Sequence, residues 1–146
     1  MRKKSIKMII IVISLIIIDQ LSKIYIINNY NKSIGNEIIK IELAKNYGIA
    51  FGLNSGNSKN IIITIIVLMI VFIFIKNQFE RIDVKTGIAI SMIIGGGVSN
   101  LIDRIFRGYV VDFISVKNFS IFNLADIYIV IGWILFVIFI IKFSKK

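Results

Sequence analysis

Four long apolar blocks constrain what this 146-residue chain can fold into. They cover about 8–27, 61–75, 86–102 and 123–143. No polar stripe runs along them, so helices built from them would be apolar on every side. That suits lipid better than a core with one wet face. A span needs roughly 20 residues, so the second block is expected to borrow residues 57–60 and 76–77 at its ends. The first block, with its basic head, resembles the start of a cleavable signal peptide. No small-residue cleavage site follows it, however; Asp19, Gln20, Ser22 and Lys23 do, and a retained helix is expected.

The net charge of +10 could point to nucleic acid, but the positions of the charges point to a membrane. Arg2, Lys3, Lys4 and Lys7 precede the first block; Lys76, Arg81 and Lys85 lie between the second and third; Lys142, Lys145 and Lys146 close the chain. If every block crosses, these short basic segments share one side. The positive-inside rule makes that side cytoplasmic, with both termini inside. The expected location is a membrane crossed by all four blocks, and no nucleic-acid partner is expected.

The segments on the other side, 28–59 and 103–122, are longer and contain extended-looking runs. Ile38, Ile39, Ile41 and Leu43 suggest a small strand pair, and Tyr109–Ile114 a further strand. With no repeat or linker in view, the expectation is one domain over 1–146. Its fold class is an all-α membrane protein, four transmembrane helices carrying a small extracytoplasmic β-containing lobe.

The chain has no Cys and no His, which removes Ser-His-Asp and Cys-His nucleophilic machinery and the usual zinc sites. Of its eight carboxylates, Glu80 and Asp83 fall in the cytoplasmic turn, and Glu37 and Glu42 in the first external segment. The other four, Asp19, Asp103, Asp112 and Asp126, border or interrupt apolar blocks. Ionisable groups there are costly and usually have a partner or a function. In the deduced topology all four lie toward the outer half of the membrane. Two carboxyls brought close together cannot both ionise cheaply, so they share a proton. One can then activate water while the other polarises a carbonyl, giving peptide hydrolysis without metal.

Each residue also has a plainer reading. Asn123 is a natural N-cap for the fourth helix, which places Asp126 at N3, where the helix dipole favours a carboxylate. Asp112 could guard an exposed strand edge. Asp103 and Arg104 could form an interfacial ion pair, and Asp19 could pair with Lys23 one turn on. Gly95, Gly96 and Gly97 suit close helix packing, not a phosphate loop, because no Gly-Lys-Ser/Thr follows. Trp133 is expected to pack within its span.

Five motifs in order resemble lipoprotein signal peptidase (signal peptidase II): Asp19-Gln20-Leu21-Ser22-Lys23; Asn46-Tyr47-Gly48-Ile49-Ala50-Phe51-Gly52; Gly95 to Arg104; Gly108 to Phe113; and Phe122 to Asp126. The resemblance implies an intramembrane aspartyl endopeptidase that cleaves prolipoproteins before a Cys bearing a diacylglyceryl group. It makes Asp112 and Asp126 the catalytic pair, with Asp19, Asn46, Gly48, Asn100, Asp103, Arg104 and Asn123 supporting the site. It implies no cofactor, substrates that are lipid-modified prolipoproteins presented by membrane lipid, and inhibition by globomycin-type cyclic peptides. Two rivals stand beside it: a Ser-Lys protease built on Ser22 or Ser99 with Lys23 as base, and a transporter or membrane scaffold whose acids carry protons or ions.

Overall fold

A computed structural model describes residues 2–29, 33–48, 57–78 and 82–144. Its elements run α1 Arg2–Asn29, β1 Ile34–Gly35, β2 Ile39–Asn46, α2 Asn57–Gln78, α3 Val84–Phe106, β3 Val110–Val116, β4 Ile121–Phe122 and α4 Leu124–Ser144. All four helices are long and apolar enough to cross a membrane. The second extends into polar residues at both ends, as its short apolar block requires.

The helices pack around α3. Half of its most apolar window is buried, against 11–17% for the other three, so α3 is the spine and the rest turn most of their apolar surface outward. Ile62, Ile66, Ile70 and Ile73 of α2 and Ile134, Val137 and Ile141 of α4 are all exposed, which is the expected state for side chains meeting lipid. Trp133 belongs with them. It is 41% exposed, with its ring edge-on to Phe136, so it faces outward instead of packing inside the bundle.

Small residues make the spine possible. Gly95 faces Leu15 of α1, Gly97 faces Leu68 of α2, and Gly96 lies against the Ala125 carbonyl of α4. From the other side, Gly132 of α4 approaches the Ala89 carbonyl of α3 so closely that an added Cβ would stand 2.8 Å away. Backbones can come this near only where side chains are missing. The apolar core of Val71, Ile82, Ile90 and Ile93 lies toward the end that carries the chain termini.

At the opposite end the strands form one antiparallel sheet in the order β1-β2-β3-β4. Ala44 pairs with Asp112 and Asn46 with Val110, with an irregularity in β2 between Ile41 and Ala44. The turn from α3 into β3 is made by Gly108 at φ 80°, a left-handed conformation costly for other residues. β3 therefore starts directly beside the last turn of α3. Asp112 pairs with Ala44 and is 2% exposed, so it is buried and does not guard an exposed edge.

Substitution at Gly96 tests the α3–α4 seam. Gly96→Val would press against backbone of α4, which cannot step aside, and is expected to destabilise the protein by about 1–3 kcal/mol. Gly97→Ala meets only the end of the Leu68 side chain and should change the thermal midpoint in detergent far less.

Candidate active site

The site forms where α4 begins. Asn123 caps the helix: its Oδ1 accepts from Asp126 N–H at 2.9 Å, and its own N–H donates to Asp126 Oδ2 at 3.2 Å. This reciprocal pair satisfies two helix-end donors and fixes the Asp126 carboxyl at N3. With the Asn123 oxygen committed to a backbone donor, its amide NH2 must point elsewhere. It donates to Asp112 Oδ1 at 2.6 Å. One residue thus bonds both aspartates, which are far apart in the sequence.

The second oxygen of each carboxyl is held in the same manner. Asn46, the diagonal neighbour of Asp112 across β2–β3, accepts from Gly48 N–H at 2.9 Å and donates to Asp112 Oδ2 at 2.8 Å. Asn100 of α3 donates to Asp126 Oδ1 at 2.8 Å. Four carboxylate oxygens therefore each accept an N–H. Arg104 donates to the carbonyls of Gly48 and Asn100, tying β2 to α3 beside the pair.

Behind this layer lies a buried ionic layer. Asp19 accepts from Ser99 Oγ at 2.7 Å and from Ala125 N–H at 2.9 Å, and pairs with Lys23 at 2.7 Å. Asp103 accepts from Val111 N–H and Gln20 Nε2, each at 3.0 Å, and pairs with Lys23 at 2.9 Å and with Arg107. The expected Asp103–Arg104 pair does not form. Adjacent helical residues point in different directions, whereas Arg107 lies one turn on and on the same face. Among the described residues, no buried side-chain nitrogen or oxygen lacks a partner.

All nine residues singled out by resemblance meet in this one network; Gly48 does so through its backbone. Residues 49–52 of its motif lie outside the described residues. Sequence reasoning did not assign places in the site to Gln20, Ser99 and Arg107. Their signal was present as helical spacing: Ser99, Asp103 and Arg107 fall four apart on one face of α3. The network argues against the Ser-Lys rival, and the Ser99 hydroxyl is taken up by Asp19 Oδ2 at 2.7 Å. Lys23 Nζ donates to three oxygens and offers no lone pair to a hydroxyl, while Ser22 Oγ is bonded to the Asp19 carbonyl.

Burial is the main cause that pushes the Asp112 carboxyl up from 3.8 to about 6; the nearby Asp126 adds to it, and donation from Asn46 and Asn123 only partly opposes it. The folded chain therefore holds this proton more tightly than the unfolded chain does. Stability is favoured by the protonated form and lost as pH rises from 3.8 through about 6. Asp112→Asn cannot titrate at this position. Paired melts at stepped pH should show its stability relative to the parent rising across that window and flat above it. The gain is at most about 3 kcal/mol, at about 1.4 kcal/mol per pH unit.

With the geometry in view, the comparisons with known proteins are consistent. The family described as Signal peptidase (SPase) II matches residues 11–142. A lipoprotein signal peptidase of Wigglesworthia glossinidia brevipalpis is 41% identical over 138 residues, spanning 88% of this chain and 90% of the relative. One from Clostridioides difficile (strain 630) is 33% identical over 144 residues, spanning 94% and 97%. Among solved structures, a bacterial membrane enzyme determined by the in meso method at 2.3 Å resolution matches with a TM-score of 0.81 at 34% identity. That match covers 94% of this chain and 89% of the other. A second, at 1.9 Å resolution, gives 0.79 at 34% identity, covering 93% of each chain.

Proposed function

The chain belongs to the signal peptidase II family and is a multi-pass bacterial membrane protease that removes signal peptides from prolipoproteins, and we propose that Asp112 and Asp126 are its catalytic pair. The observation that carries this assignment is Asn123, which donates to both carboxyls at once and holds them at the mouth of the bundle.

In the proposed reaction the pair begins with one proton between its carboxyls. The ionised member takes a proton from water as the water oxygen bonds to the scissile carbonyl carbon. The other member gives its proton to the carbonyl oxygen, forming a gem-diol. The C–N bond then breaks as the nitrogen takes a proton from the protonated member and a gem-diol hydroxyl gives its proton to the ionised one, releasing an amine and a carboxylic acid and returning the pair to its starting charge. General acid–base assistance of this kind contributes about 10²–10⁴-fold. The pair titrates as a unit, so the proton belongs to both. The amide donors on all four oxygens fix the lone pairs that remain for water and substrate.

The finer reading of the substrate is a prolipoprotein whose Cys after the cleaved bond carries a diacylglyceryl group. Its apolar signal segment enters from the bilayer while the acyl chains stay in lipid, and globomycin-type cyclic peptides compete for the same place. The apolar outer faces of the helices and the position of the site at one bundle end support this. The basic segments next to the opposite end support cytoplasmic termini and an external sheet. Residues 1–146 act as one domain in this reading.

Two experiments test it. In a purified assay on lipidated prolipoprotein, Asp112→Asn and Asp126→Asn should each lower kcat by at least about 10²-fold while the protein stays folded, and Ser22→Ala should keep most activity. Retained cleavage in either Asp variant would reject the pair. For topology, the absence of native Cys makes single substitutions clean probes. In intact cells Glu37→Cys should react with an impermeant maleimide and Lys76→Cys should not; the reverse pattern would invert the orientation.

A further inference from the structure

Lys23 touches neither Asp112 nor Asp126, yet its contacts lead to both. Its side chain has no exposed surface. Its ammonium has three N–H groups and finds three acceptors: Asp19 Oδ2 at 2.7 Å, Asp103 Oδ2 at 2.9 Å and Asn100 Oδ1 at 2.9 Å. Each acceptor is engaged onward. Asp19 Oδ1 holds the N–H of Ala125, the residue before Asp126. Asp103 Oδ2 holds the N–H of Val111, the residue before Asp112. Asn100, its oxygen turned to the ammonium, presents its NH2 to Asp126 Oδ1 at 2.8 Å.

We propose that Lys23 is a positioning residue for peptide hydrolysis, one buried cation that fixes the spacing of the Asp112/Asp126 pair and the donor facing Asp126. The inference rests on the assignment of that pair. Three consequences follow from removing the ammonium. Asp19 and Asp103, which converge on the same point, would repel each other in a medium that screens poorly. They would separate, and the Ala125 and Val111 amides bonded to them would shift with them. Asn100 would also lose the closer of its two donors, keeping only Asn123 Nδ2 at 3.2 Å, and a flipped amide would turn an oxygen toward the Asp126 oxygen. These effects displace or misorient the reacting groups without touching the substrate, so they fall on the chemical step. Displacement of about 1 Å at a reacting centre costs about 10²-fold.

The test uses the full chain in detergent with lipidated prolipoprotein. Lys23→Met is expected to lower kcat about 100-fold with KM changed by no more than about threefold. Because that variant leaves Asp19 without its cation and Asp103 with Arg107 alone, Lys23→Met/Asp19→Asn/Asp103→Asn is made beside it. This variant removes the charge and keeps a side-chain oxygen for each backbone amide. It should show the same fall in kcat, since the Asn100 oxygen keeps only the 3.2 Å donation from the Asn123 amide. Normal kcat in either folded variant overturns the proposal, as does an effect confined to KM. Failure of both to yield helical, monodisperse protein overturns it too, leaving Lys23 a folding residue only. Asp112→Asn and Asp126→Asn run in the same assay. If they cleave, the pair itself is wrong; if they are inactive while the Lys23 variants turn over normally, only the role of Lys23 falls.

Discussion

The fully buried ion cluster of Lys23, Asp19 and Asp103 is the constraint around which the outer end of the bundle is organised. Charges removed from water are tolerated only with close partners and with their remaining hydrogen-bonding capacity filled, and removing one partner is strongly destabilising. Here the filling groups come from every element that builds the site: Ser99 and Gln20 from the helices, Ala125 N–H from the start of α4, and Val111 N–H from β3. Satisfying the buried charges therefore fixes where α4 and β3 begin. Burial energetics and site geometry are the same requirement.

A second regularity concerns the asparagines. An amide can present either its oxygen or its NH2 to a neighbour, and the carboxylates need donors. In each of the three cases a group that can only donate takes the amide oxygen: Gly48 N–H for Asn46, Lys23 for Asn100, Asp126 N–H for Asn123. The NH2 is then left facing Asp112 or Asp126. Polarity passes from unambiguous donors to ambiguous amides to the carboxyls. A Gln or Asp at these positions would not preserve it, because reach or donor sense would change.

The helices contribute little specific chemistry and much constraint. α3 can serve as a spine because Gly95, Gly96 and Gly97 give α1, α4 and α2 room to approach, and Gly132 does the same from α4. Close approach on the α4 side sets Ala125 against Gly96 and brings Asp126 beside Asn100. A bulkier seam would move the cap of α4 away from the donors on α3, and the two halves of the network would part.

Much was legible in the sequence because lipid imposes a coarse pattern. Four apolar blocks determine four helices, a short block must borrow polar ends, and acids bordering apolar blocks mark the end where chemistry occurs. The Asn123–Asp126 cap and the Asp19–Lys23 pair were also readable, since both depend on spacing within a single helix. What could not be read were the relations between elements. Asp103 was paired on paper with its neighbour Arg104, when helix geometry sends it to Arg107 and Lys23. For Asp112 a guard at an exposed strand edge stays open as the plainer alternative in the sequence, because nothing local says how deeply its strand is buried. Trp133 read as packed because apolar blocks do not reveal which face meets lipid. Local pattern is enough to say which residues cannot stay exposed or unpaired in this setting. Which of them meet is settled by the packed fold, because hydrogen bonds between distant elements depend on helix rotation and strand register, and neither is written in local composition.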